Sequence, residues 1–262
     1  MKQPHILLFD IETTPLTIHS WRHYQTDSLA ILEDFYILCF SYKWYGKNKI
    51  HVKSLTDYPS YSKDIKSDKN LMKDMWDLFD KADIVVGHNS DKFDVKKTNS
   101  RLVINGFKPY SPFRQIDTLK MARKSFGFTS NRLDDLGRCL GVGRKEKVGG
   151  KLQMWFDCMA GNTSTESKKS WQDMKRYAKQ DVVLLENVYD ILKPWASPVN
   201  MGLFVDNEEP VCPKCGNDEL MKRGTSSTNS GIYQRYQCKN KECRGYSRSR
   251  YKVTKSGNPL TS

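Results

Sequence analysis

A short apolar run that ends in two acidic residues constrains this chain most. It reads Leu7-Leu8-Phe9-Asp10-Ile11-Glu12-Thr13-Thr14-Pro15. An apolar run of this length, bounded by turn residues, reads as a buried strand. Side chains alternate across a strand, so Asp10 and Glu12 point to the same face. Two carboxylates at a buried strand end repel each other unless a proton or a cation intervenes. Hard divalent cations are the usual partners of such oxygen ligands.

The pattern along residues 4–195 alternates strand-like and helix-like segments, which predicts an α/β domain. Strands are expected over 5–11, 36–45 and 49–55, the last two flanking a turn at Gly46-Lys47-Asn48. Leu71, Met75, Trp76, Leu78 and Phe79 read as the core-facing stripe of a helix. Ile84-Val85-Val86 reads as a short buried strand. Helices are expected over 91–106, 118–125, 131–140 and 171–192. Ser170 and Asp173 resemble a capping box for the last of these, after a loop at 161–165. Gly141-x-Gly143 reads as a helix stop rather than a nucleotide-binding fingerprint. Pro194, Pro198, Gly202 and Pro210 punctuate a linker. The chain thus divides into a domain at 1–195, a linker at 196–209 and a small domain at 210–262.

Two further acidic positions lie far from the first pair. Asp94 closes the segment Gly87-His88-Asn89-Ser90-Asp91-Lys92-Phe93-Asp94. A strand feeding a helix N-terminus can carry Asp94 to the end of the first strand, where the helix tolerates an anion. Phe93 is expected to pack inward and aim its neighbour. Asp91 competes for the role, and a simple capped helix is the alternative reading. His88 is either a wall residue or a satisfied structural histidine. Tyr177 and Asp181 are four apart on a predicted helix and share a face.

Charge and cysteine usage bound the setting. The 43 Lys and Arg residues exceed the 30 Asp and Glu, a formal net charge of +13. That excess favours a polyanionic partner. No stretch approaches the roughly eighteen apolar residues of a membrane span, and no signal peptide is recognisable. The expectation is an intracellular, cytoplasmic protein in a reducing compartment, with no membrane partner. Cys39, Cys139 and Cys158 are expected as small core hydrophobes.

The three acidic segments together resemble a known family. Asp10-x-Glu12, Asn89-x-x-x-Phe93-Asp94 and Tyr177-x-x-x-Asp181 match, in order, the three motifs of the DnaQ-like 3′→5′ exonucleases. These have the ribonuclease H-like domain also found in family B DNA polymerases. Tyrosine four residues before the last aspartate marks the DEDDy branch, and Asp117-Thr118-Leu119 and Leu133-Asp134-Asp135-Leu136-Gly137 are also similar to it. The resemblance implies a mixed five-stranded sheet flanked by helices. It implies two Mg²⁺ or Mn²⁺ ions held by Asp10, Glu12, Asp94 and Asp181, roughly four ångströms apart. It implies that Tyr177 orients the attacking water, because a phenol of pKa about 10 is a poor base at neutral pH. Thr13, Asn89 and Phe93 are placed near the terminal nucleotide. The loop Arg144-Lys145-Glu146-Lys147 either contacts phosphates or is merely solvated.

Cys212-Pro213-Lys214-Cys215-Gly216 forms a second constellation with Cys238 and Cys243. Four thiolates suit one structural Zn²⁺, although four residues rather than two separate the second pair. About 50 residues with so few large aliphatics would hardly fold without metal. The segment resembles a zinc ribbon. From residue 210 onward, eleven Lys or Arg face three acids, with Tyr233, Tyr236, Tyr246 and Tyr251 interleaved. A nucleic-acid tether is therefore one reading and a protein-docking ribbon the other.

The function expected is a free-standing metal-dependent 3′→5′ exonuclease acting on single-stranded 3′ ends, DNA before RNA, in replication, proofreading or repair. A separate DNA polymerase or replication protein is a candidate partner, and a virus or mobile element a candidate source. The alternatives are an exoribonuclease and a non-catalytic nucleic-acid binder on the same scaffold.

Overall fold

The computed structural model describes residues 4–22, 24, 27–145, 151–206 and 209–253. The chain divides into two compact units, one of residues 5–120 and 128–188, the other of residues 1–4, 121–127 and 189–262.

The first unit is built on a mixed five-stranded sheet. Its strands are β1 (Ile6–Thr13), β4 (Ile37–Trp44), β5 (His51–Ser54), β6 (Ile84–Gly87) and β7 (Arg114–Asp117), in the order β5-β4-β1-β6-β7. β1 runs antiparallel to β4 and parallel to β6. The continuous apolar run puts β1 at the centre, where both faces are covered. Leu7, Phe9 and Ile11 turn to the core, and Phe9 meets Phe79 edge-on at 5.2 Å. Phe79 comes from helix α1 (Lys69–Lys81), which buries Leu71, Met72 and Met75 on the same stripe. Each such fully buried side chain contributes roughly 1.5–3 kcal/mol.

The opposite face of β1 carries the acids. Register sets Asp10 opposite Ser41 and Glu12 opposite Cys39. Helix α6 (Thr165–Leu192) crosses here, and Ser41 Oγ donates to the Ala178 carbonyl at 2.7 Å. The remaining helices are α2 (Asp94–Ile104), α3 (Thr118–Ser125), α4 (Leu133–Cys139) and α5 (Lys151–Met159). The ribonuclease H-like mixed sheet with flanking helices is thus present.

Several local expectations need correction. The last long helix starts at Thr165, not at 171. Ser164 is its cap, receiving Ser167 N at 3.0 Å, while Ser170 Oγ donates to Asp157 at 2.8 Å. The helix expected over 91–106 spans Asp94–Ile104, because residues 90–93 form turns. Cys139 is exposed, whereas Cys39 and Cys158 are buried as expected. β7, α5 and the hairpin of β2 (Thr17–His19) and β3 (Ala30–Glu33) carry no clear sequence signal. The hairpin is a two-stranded ribbon whose β3 side chains are all exposed, so no alternation marks it.

The second unit contains an antiparallel sheet of β8 (Leu220–Thr228), β9 (Gly231–Cys238) and β10 (Tyr246–Lys252), in the order β10-β9-β8. Beside it Cys212, Cys238 and Cys243 are buried, with Cys215 and Leu220 packed against them. This is the zinc-ribbon-like module in outline. Among the described residues, no helix is long and apolar enough to cross a membrane.

Candidate functional site

Strand β1 delivers two of the acids and α6 the third. Asp10, Glu12 and Asp181 each offer a carboxylate oxygen, and these oxygens lie within 4.8 Å of one another. A register shift between Glu12 and Thr13 marks a bulge at the strand end, a device that re-aims side chains. Thr13 follows it, and its carbonyl accepts from Trp155 Nε1 at 3.0 Å.

Asp94 adjoins this trio without belonging to its tightest set. It is buried at the start of α2, and its Oδ1 accepts from Ile11 N at 3.3 Å. The loop that places it is tightly made. A Cβ on Gly87 would lie 2.4 Å from Ser90 Cβ, so only glycine fits at the end of β6. Asn89 takes a left-handed conformation, φ 63°, which asparagine tolerates better than most residues. Asp117 clamps the loop through its carboxylate, accepting from Asn89 N at 2.8 Å and Asp91 N at 3.4 Å. Sequence reasoning gave Asp117 no role of its own.

Phe93 does not pack inward. It is 39% exposed, with Lys97 Nζ 5.1 Å from its ring centroid. The turn before α2 sends the adjacent Asp94 inward and leaves the ring outside. His88 is satisfied, with Nδ1 2.9 Å from Thr118 Oγ1. Asp91 does not join the trio and pairs with Lys120.

The electrostatics reflect this crowding. Burial pushes the Asp10 carboxyl well above its ordinary range, and the charges of Asp94, Glu12 and Asp181 push it further. Burial also raises Asp94, to about 7, against the hydrogen bond from Ile11. Lys145 supplies a local countercharge. Its Nζ lies 2.5 Å from Asp181 Oδ2 and 3.3 Å from the Tyr177 hydroxyl. Burial alone would lower this ammonium, but Asp181 and Asp10 outweigh it and hold it above its usual value.

Lys145 reaches the site because α4 lies close to α6. A Cβ on Gly137 would sit 2.5 Å from Leu184 Cδ1, so glycine permits that approach. After α4, Lys145 N donates to Asp134 Oδ1 at 2.7 Å. Sequence reasoning placed Lys145 in a basic loop but did not join it to the acids. Glu146 and Lys147 of that loop lie outside the described residues. Tyr177 is buried one turn before Asp181, its ring 6.0 Å from that of Trp155.

The trio's donor set fits hard divalent cations, because three carboxylates converge with oxygens within 4.8 Å of one another, an all-oxygen set of the kind such ions take. The four cysteines form a separate set, again with ligand atoms within 4.8 Å of one another. Cys212 and Cys243 sulfurs are 3.8 Å apart, and those of Cys215 and Cys238 are 3.6 Å apart. Four thiolates about 2.3 Å from a tetrahedral ion stand about 3.8 Å from each other. The longer spacing between Cys238 and Cys243 therefore does not prevent a four-sulfur site.

A family model described as the RNase H superfamily matches residues 7–193. Among solved structures, the chain is similar to the family B DNA polymerase from the hyperthermophilic archaeon Pyrobaculum calidifontis, at 15% identity and a TM-score of 0.48. The match covers 74% of this chain and 25% of that one, so the chain spans about a quarter of the polymerase's length. No curated protein matches the sequence.

Proposed function

The chain belongs to the RNase H superfamily, and from that premise we propose that it is a metal-dependent 3′→5′ exonuclease of the DEDDy type. Its proposed substrate is the 3′ end of a DNA strand and its product a nucleoside 5′-monophosphate. One observation carries this reading: Asp10, Glu12 and Asp181, far apart in sequence, bring carboxylate oxygens within 4.8 Å of one another.

In this reading Asp10, Glu12 and Asp181 would hold divalent cations, with Asp94 beside them as a further candidate ligand. A pair of such ions, when bound, lowers the pKa of the attacking water and offsets charge on the leaving oxygen. Tyr177 orients that water. Its hydroxyl accepts from Lys145 at 3.3 Å, which turns the phenol toward donating its own hydrogen. Lys145 stays protonated beside Asp181 and keeps this arrangement in place. The water oxygen forms the new bond to phosphorus and the bond to the preceding 3′ oxygen breaks; the water gives up a proton to solvent, solvent protonates the freed 3′ oxygen, and the phosphate leaves with the terminal nucleotide.

Thr13 and Asn89 flank the acids in sequence and are assigned to the terminal nucleotide. The exposed ring of Phe93 is assigned to stacking on a base. The four cysteines are assigned one structural Zn²⁺, which suits a module whose buried centre is the cysteines themselves.

The test is release of mononucleotides from a 3′-labelled single strand, with DNA and RNA side by side, with and without Mg²⁺. Asp10→Ala should reduce the rate by about 10³-fold or more, the scale of losing a principal electrostatic stabiliser. Tyr177→Phe should reduce it by about 10- to 100-fold, as for a residue that positions rather than reacts. Wild-type turnover in Asp10→Ala would reject the proposal.

A further inference from the structure

The second unit carries a cationic face that its own strands do not neutralise. β8, β9 and β10 contain Lys222, Arg223, Arg235, Arg248, Arg250 and Lys252 and no Asp or Glu. Register sets Arg235 directly opposite Arg248. Like charges in a direct cross-strand pair are destabilising, so sheet energetics alone does not favour this arrangement.

The two arginines are nevertheless held in place. The Arg248 guanidinium lies 4.4 Å from the Tyr233 ring centroid, and that of Arg235 lies 5.7 Å from Tyr246. Arg235 Nε also donates to the Arg223 carbonyl at 2.8 Å. Both arginines are exposed, so oriented donors face solvent at low additional entropic cost.

Tyr246 leads into a cleft of about 820 Å³ that Trp195 also lines. Trp195 is 74% exposed and Tyr246 52% exposed. Lys214, from the first cysteine knuckle, donates to the Trp195 carbonyl at 3.1 Å and ties that segment down. Lys241 and Arg244 join from the second knuckle. Of the two acids in the cleft, Asp190 is engaged by Lys193 at 2.6 Å and Glu242 is the other.

We propose that this face binds single-stranded nucleic acid, with phosphates on Arg235 and Arg248 and bases stacked on Tyr246 and Trp195. Fixed cations beside exposed flat rings match the alternation of charge and aromatic surface along an unpaired strand. The choice of nucleic acid among polyanions rests on the exonuclease reading. The cationic, aromatic face does not depend on it.

The experiment uses the full chain and a fluorescent, phosphorothioate-linked oligothymidylate, followed by anisotropy across a KCl series without added divalent cation. Arg235→Ala with Arg248→Ala should weaken binding and make the slope of log K against log salt shallower by about 1.4, two single-strand contacts. The corresponding double lysine variant should keep the slope. Trp195→Ala and Tyr246→Ala should each weaken binding about 5- to 100-fold with the slope unchanged. Unchanged affinity and slope in the double alanine variant, with zinc content intact, would overturn the proposal. So would inorganic polyphosphate competing as well as the oligonucleotide at equal phosphate. Hydrolysis of the p-nitrophenyl ester of thymidine 5′-monophosphate separates the two ideas, since it has no second nucleotide. It should proceed at the parent rate in every variant. Its absence in the parent chain, with strand binding still lost in the variants, would sink the exonuclease reading and support the binding face.

Discussion

Lys145 Nζ lies 2.5 Å from Asp181 Oδ2, although the two residues are 36 apart in sequence. Asp181 is almost fully buried, with its side chain only 1% exposed. Removing one partner of a buried ion pair leaves the other charge poorly compensated. Lys145→Ala should therefore destabilise the metal-free protein by about 2 kcal/mol, below the fully buried range because the lysine is partly solvated. Mg²⁺ should restore most of that loss. Thermal unfolding with and without Mg²⁺ tests this, and an unchanged midpoint without metal would refute it.

The acidic cluster also predicts the sign of a pH effect. Asp94 is raised by burial to about 7 in the folded protein, against about 3.9 when unfolded. Between those values the folded state binds more protons than the unfolded state. Its stability contribution should fall as pH rises from about 4 to about 7 and level off above. Asp10 is pushed in the same direction by burial and by its acidic neighbours. A cation relieves the same repulsion, so Mg²⁺ should raise the unfolding midpoint more at about pH 8 than at about pH 5. Equal Mg²⁺ shifts at both pH values would contradict this.

Gly87 is set by close approach to Ser90, whose Cβ would be 2.4 Å from an added methyl group. Gly87→Ala should destabilise the protein by about 1–3 kcal/mol, the scale of overpacking. It should also displace Asp94, because the 87–94 turn aims that carboxylate. Adding Ser90→Gly should recover part of the stability. Denaturant midpoints for the single and double variants check this, and a Gly87→Ala midpoint equal to the parent's would be the contrary result.

The cysteine sulfurs predict one zinc per chain. Cys238→Ser should release it, and the β8, β9 and β10 amides should lose protection from hydrogen exchange. Structural zinc contributes on the order of 10 kcal/mol in small metal-folded domains. Elemental analysis with hydrogen exchange decides the matter. A zinc-free chain with those amides still protected would show that the module folds by other means.

Much of the architecture was legible because the signals were local. The apolar run at 7–9 and the alternation through Glu12 defined the central strand and the face of its acids. The helical spacing of Tyr177 and Asp181 put both in reach of one site. What was hidden depends on distant partners. Lys145 read as a loop cation because its neighbours do not reveal Asp181. Asp117 read as part of a familiar segment, while its clamp on Asn89 N spans 28 residues. Phe93 reads as a core residue because an apolar side chain beside a buried acid suggests one, and only the turn geometry turns it out. Ser170 resembled a cap, but Ser164 held the helix start and Ser170 paired with Asp157.

In the proposed function the separated acids form one site for two cations. A crystal of the protein grown with Mn²⁺, examined by anomalous scattering, measures this directly. Two peaks are expected, one within about 2.2 Å of oxygens from Asp10, Glu12 and Asp181, the other reached by Asp10 and lying on the Asp94 side, roughly four ångströms away. No manganese there, with the carboxylates turned apart, would contradict the proposed function.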